Sequence, residues 1–89
     1  MLWYVGESRN VYTTVTSTAG SFTITSAVYA VYDTSDNSTV ASGVAIVDGS
    51  DIYFRWTPSE SGWFVADIDY VLGTETFTSR QVIEVRDTL

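Results

Sequence analysis

The sequence predicts an all-β fold, an antiparallel β-sandwich of seven or eight short strands. Three observations carry that expectation. Apolar and polar residues alternate with period two along most of the chain, turn-forming breaks recur at short intervals, and no window carries the apolar stripe of an amphipathic helix. Val, Thr, Tyr and Trp are plentiful and Pro occurs once, a balance that favours strands. Two layers follow from the alternation, because one open sheet would leave its apolar face in water.

The strands are expected over residues 2–5, 11–17, 21–26, 28–32, 39–47, 52–57, 63–72 and 75–85. Residues 2–5 (LWYV) are apolar without clean alternation. That suits an edge strand tucked against the core, or a strand offered to another subunit, so Leu2, Trp3, Tyr4 and Val5 form the candidate interface. Residues 11–17 (VYTTVTS) and 21–26 (SFTITS) are rich in β-branched side chains and are separated at Gly20. Residues 28–32 (VYAVY) run into the polar stretch DTSDNS, residues 33–38, which reads as a hairpin tip. Residues 39–47 (TVASGVAIV) end at DGSD, and 52–57 (IYFRWT) end at PSESG. Residues 63–72 and 75–85 flank LGTE.

Two hairpins can be placed in register. With Gly73-Thr74 as a two-residue loop, Gly first as a type II′ turn wants, Leu72 faces Glu75, Tyr70 faces Phe77, Asp67 faces Arg80 and Phe64 faces Ile83. Apolar pairs then share one face and the opposite charges meet on the other, and a one-residue slip would destroy both matches. A three-residue loop at Asp48-Gly49-Ser50 sets Ile46 against Ile52 and Val44 against Phe54. Its inward set is Val44, Ile46, Ile52, Phe54 and Trp56, and its outward set includes Tyr53, Arg55 and Thr57.

The 89 residues suffice for one small domain, without linker, internal repeat or low-complexity tract. The start at Met1 and a last strand ending just before Leu89 suggest a complete unit. The formal charge is −7, from eleven acids against four Arg and no Lys. That balance argues against nucleic acid and against an anionic membrane surface as partners. There is no Cys and no His, so disulfides, thiol chemistry and an ordinary zinc site are excluded. Neither a signal peptide nor a membrane-spanning run is present, which suits a soluble protein exported, if at all, by some other route.

The stretch PSESGWFVADIDY, residues 58–70, crowds aromatic rings with Glu60, Asp67 and Asp69. Within it, Glu60-Ser61-Gly62-Trp63-Phe64 has the acid-x-Gly-x-aromatic form of the corner before the next-to-last strand of immunoglobulin-like domains, and Phe64, Ala66, Ile68 and Tyr70 follow as an inward series. From about residue 11 to 86 the chain resembles the immunoglobulin-like fold. Two positions depart from the antibody pattern: Phe64 replaces the corner Tyr, and Ala66 stands where antibody domains carry a Cys. The succession SFTITSAVYAVYD, VASGVAIVDG and SGWFVADIDYVLGTETFTSRQVIEV resembles the small immunoglobulin-like modules of tailed-phage and prophage structural proteins. That resemblance implies a non-enzymatic structural, assembly or docking role in a head, neck, tail or baseplate, and with it a place in a virion or a soluble cytoplasmic assembly pool. The partner would be another protein or a second copy.

Candidate chemistry is sparse. Asp67 and Asp69 share a strand face with Cα atoms roughly 7 Å apart, a spacing that invites comparison with glycoside hydrolases. Solvent-facing acids on a strand have the same spacing, and Arg80 would neutralise Asp67. Asp33, Ser35, Asn37 and Thr39 alternate as in a calcium loop, yet Ser38 and Val44 stand where an EF-hand needs Gly and Glu. A looser site would combine Asp33 and Asp36 with Asp48 or Asp51, but a polar hairpin tip explains the run better. Asn37-Ser38-Thr39 fits a glycosylation acceptor and carries no weight without an export signal. No phosphate loop, nucleophile elbow or dinucleotide fingerprint occurs, so no cofactor and no enzyme is expected. Trp3, Tyr4, Tyr12, Tyr29, Tyr53 and Trp63 remain as candidate surface rings, with Tyr53 and Trp63 foremost. Exposed rings are what a carbohydrate-binding or cell-surface adhesion module would use, and this is the alternative function.

Overall fold

The computed structural model describes residues 1–16 and 22–87. Ser17, Gly20, Ser21 and Leu89, on which parts of the sequence reading drew, lie outside them. The described residues form eight strands and no helix: β1 (Leu2–Tyr4), β2 (Arg9–Thr14), β3 (Ile24–Asp33), β4 (Thr39–Val44), β5 (Ile46–Asp48), β6 (Asp51–Trp56), β7 (Gly62–Leu72) and β8 (Glu75–Arg86). A five-stranded sheet in the order β1-β8-β7-β3-β4 and a three-stranded sheet in the order β2-β6-β5 make an all-β sandwich. Setting β2, β5 and β6 against β3, β7 and β8 is the division of strands found in immunoglobulin-type sandwiches. One ladder departs from the antiparallel expectation: β1 runs parallel to β8, with Trp3 opposite Val85. Period-two alternation fixes which face a residue uses but not which strand lies beside it.

The β7–β8 hairpin has the expected register, with Leu72 opposite Glu75, Tyr70 opposite Phe77, Asp67 opposite Arg80 and Phe64 opposite Ile83. Gly73 takes a φ of 63° at the first loop position, which a type II′ turn needs and a β-carbon would oppose.

Elsewhere the strands divide differently. The two short strands expected over 21–26 and 28–32 form the single β3, with a bulge between Ile24 and Ser26. The bulge shifts the phase of alternation, so Ile24 and Ala27, three positions apart, are both buried. Conversely, the strand expected over 39–47 is cut at Ala45. The chain leaves the larger sheet there and enters the smaller, with Ala45 buried and its N–H donating to the Ala27 carbonyl at 3.0 Å.

That switch overturns the second hairpin register. The loop has two residues, Gly49-Ser50, and not three. Ile46 therefore faces Tyr53 and Val47 faces Ile52. A slip of one residue reverses every side chain. Ile52, Phe54 and Trp56 point inward as expected, whereas Ile46 and Val44 are exposed, at 53% and 80%.

The core lies between the sheets and gathers on β6, which is central in the smaller one. Phe54 stacks on Tyr29 of β3 with centroids 3.9 Å apart and planes parallel within 1°. Trp56 meets Trp3 of β1 at 5.2 Å and the edge of Phe64 at 5.3 Å. Every one of these contacts joins one sheet to the other, and each contributes about 0.5–1.5 kcal/mol beyond the area it buries. Phe77, read as inward, lies at the edge of this core and is 39% exposed, stacked on Tyr70.

Gly43 of β4 lies against the Tyr29 ring, where a β-carbon would come within 3.2 Å of two of its atoms. Tyr29 cannot retreat, because Phe54 is stacked on it. Gly43→Ala is therefore expected to lower stability by about 1–2 kcal/mol in urea unfolding, an overpacking cost.

Candidate functional site

The residues singled out in the sequence do not converge. Trp3 was expected to be available at an interface and at the surface. It is instead 1% exposed and walled in by Trp56, with the Arg9 guanidinium 4.7 Å from its ring centroid. Burial of so large a ring is what anchors a strand of only three residues. Leu2 is exposed, Tyr4 and Val5 are half-buried, and the main-chain N–H of Val5 donates to the Arg86 carbonyl. Residues 2–5 thus match the tucked edge strand. Tyr29 likewise leaves the list of surface rings, being held by Phe54.

Tyr53 and Trp63 lie on opposite outer faces. Tyr53 is half-buried and pairs with exposed Tyr12 on the smaller sheet, centroids 5.0 Å apart and planes tilted by 36°. Trp63 is 54% exposed on the larger sheet. The surface rings therefore share no plane.

Four of the candidate carboxylates, Asp33, Asp36, Asp67 and Asp69, accept hydrogen bonds from nearby residues. Asp67 accepts two hydrogen bonds from Arg80, Nε to Oδ1 at 2.8 Å and Nη2 to Oδ2 at 2.9 Å. Asp69 accepts one from the Thr78 hydroxyl at 2.6 Å. In the 34–38 loop, Asp33 accepts from the Ser35 N–H and hydroxyl, and Asp36 from the Ser38 N–H. Asn37 turns the chain with a φ of 60°. Among the described residues no three carboxylates come together. The loop has the hydrogen bonding of a hairpin tip.

What the fold does assemble is the outer face of the larger sheet. The registers lay residues in rows across β8, β7, β3 and β4. One row is Val82, Val65 and Tyr32; the next is Arg80, Asp67, Ala30 and Ser42; a third is Thr78, Asp69, Val28 and Val44. Trp63 stands beside the first row, opposite Glu84. Val28, Val82 and Trp63 are each about half exposed and Val44 almost wholly so, while the Asp67–Arg80 pair sits among them. Asp67 is nearly buried, although it is on the solvent side of its sheet. The exposed Arg80 side chain lies over it and supplies its donors.

Sequence reasoning missed Val28, Val44 and Val82. The β7–β8 register already implied Val82, since it sets Trp63, Val65 and Asp67 on one face with Arg80 and Val82. Val28 and Val44 were hidden by the β3 bulge and the sheet switch at Ala45, which alternation does not reveal.

No family model, curated protein or solved structure matches this chain. No helix of the described residues is long and apolar enough to cross a membrane.

Removing one partner of the central ion pair leaves a nearly buried carboxylate without its donors. Arg80→Ala should therefore cost about 1–2 kcal/mol in urea unfolding, the exposure of Arg80 keeping the value low. Adding Asp67→Ala should recover part of that loss.

Hydrogen bonds from the Ser38 side chain and backbone hold the Asp36 carboxyl below its ordinary value. A lowered folded-state value stabilises the fold above the unfolded pKa, and that contribution disappears as pH falls through the folded one. An NMR titration of Ser38→Ala should show the Asp36 midpoint moving upward.

Proposed function

We propose that this chain is a non-enzymatic structural or docking module that works by surface complementarity, using the outer face of its larger sheet. The observation that carries this reading is that Trp63, Val82, Val28 and Val44 are all exposed on one face, on either side of the Asp67–Arg80 pair. Protein interfaces combine an apolar centre enriched in Trp with few charges, and have little Lys. Large apolar side chains left exposed together on one face of a folded domain point to a partner. The resemblance of the strand succession to modules of phage and prophage particles supports placing it in such an assembly. Asp67 and Asp69, the acids that invited a glycoside-hydrolase reading, are hydrogen-bonded to Arg80 and Thr78.

A second reading, sugar binding, draws on the Tyr12–Tyr53 pair. Its two tilted rings offer stacking area for one sugar residue, less than an extended glycan platform requires. Docking to protein is the stronger reading.

Light scattering over a wide concentration range tests the face. Wild-type chain should gain mass with concentration, and Trp63→Ser/Val82→Ser should stay monomeric with its melting temperature within a few degrees, since both residues are half exposed. A wild-type monomer at every concentration would remove self-assembly and leave docking to a different protein.

A further inference from the structure

The flank of the sandwich opposite β1 is open. β5 pairs only with residues 51–53 of β6, so the rest of β6 has no strand on that side. Across from it, β4 is the edge of the larger sheet. Between these two uncovered strands lies a cleft of about 160 Å³, lined by Val40, Trp56, Thr57, Ser59, Glu60 and Phe64.

The edge itself can accept a strand. Ala45 donates its N–H to Ala27, so Ala45 and Ala27 form a hydrogen-bonded pair. Such pairs alternate along an antiparallel ladder. Gly43 and Ala41 therefore turn their main-chain groups toward β3, and Ser42 and Val44 direct theirs to the open side. Residues 39–47 contain no charge and no Pro, the usual protections of an edge. The register shift at Val40 lifts that residue out of the ladder and into the cleft wall.

The charge around the cleft indicates what would enter it. Arg9 pairs with Glu7, Arg80 with Asp67 and Arg86 with Glu84, while Arg55 donates to the Ser8 hydroxyl. Among the described residues Glu60 has no cation of this chain beside it. A cleft walled by Trp56 and Phe64, with Thr57, Ser59 and the unmatched Glu60 at its rim, complements a cation on a chain of charge −7. A guanidinium satisfies both features, stacking on rings and pairing with a carboxylate.

We propose that this flank binds an extended basic segment of a partner protein, its backbone adding to β4 and an arginine side chain entering the cleft beside Glu60. The main-chain bonds would supply affinity and the cleft selectivity. The inference rests on the docking reading but assigns a second surface and a partner chemistry to it.

The probe is a blocked pentapeptide, acetyl-Thr-Val-Arg-Val-Thr-amide, titrated into isotope-labelled protein and followed by NMR. A twin peptide carries citrulline, the neutral isostere, in place of arginine. Shifts are expected at residues 40–44 and 57–60. The citrulline peptide should bind roughly fivefold more weakly, and Glu60→Gln should erase that difference between the two. Equal binding of both peptides to wild-type protein, shifts centred on Asp48, Asp51 or Asp69, or no binding at all would overturn the proposal. The Trp63→Ser/Val82→Ser protein separates the two surfaces. Peptide binding that survives in it belongs to the flank, and self-association without peptide binding sinks this inference while leaving the docking face intact.

Discussion

The two sheets depend on aromatic rings for their attachment. With no Cys in the chain there is no disulfide across the sandwich, and Ala66 occupies a core position on β7. Phe54 and Trp56, two residues apart on β6, reach across to Tyr29, Trp3 and Phe64 on three different strands of the larger sheet. Large rings need small neighbours, and Gly43, Ala41 and Ala66 provide them. The size pattern of the core follows from this constraint. Even the three-residue strand β1 is held mainly by its one buried ring, Trp3.

How much of this was legible in the sequence depended on how many independent signals met at a position. The β7–β8 hairpin combined a Gly-first loop, apolar pairing and charge pairing, and its register was readable in full. The 39–47 stretch offered only alternation, which continues smoothly through Ala45 although the chain changes sheets there. No local feature marks the switch, because it is driven by the position of β6 and the fit of Ala45 under β3. The β3 bulge is similar: Ala27 looked like a break and is a buried member of a longer strand. Trp3 was misjudged for another reason. An apolar terminal strand has the same composition whether its own core or a partner covers it.

The outer face of the larger sheet was half legible. Trp63, Asp67, Arg80 and Val82 follow from one correct register, whereas Val28 and Val44 come from strands whose limits required tertiary information. The candidate chemistry resolved toward structure. Carboxylates that invited catalytic or calcium readings are held by Arg80, Thr78, Ser35 and Ser38, each a near neighbour in a hairpin or turn. On so acidic a chain, carboxylates will often fall close together. Their hydrogen-bond partners distinguish a site from a solvated strand.

The parallel pairing of β1 with β8 has a consequence for how the molecule forms. Leu2 meets Glu84 and Trp3 meets Val85, so the first strand waits for the last. Closing so long a loop is entropically costly and slows the search for the native arrangement. Trp3 precedes both Trp56, the ring it packs on, and Val85, its partner in the ladder, by most of the domain. The indole that completes one end of the core therefore stays without its strand partner while every element between β1 and β8 is being made.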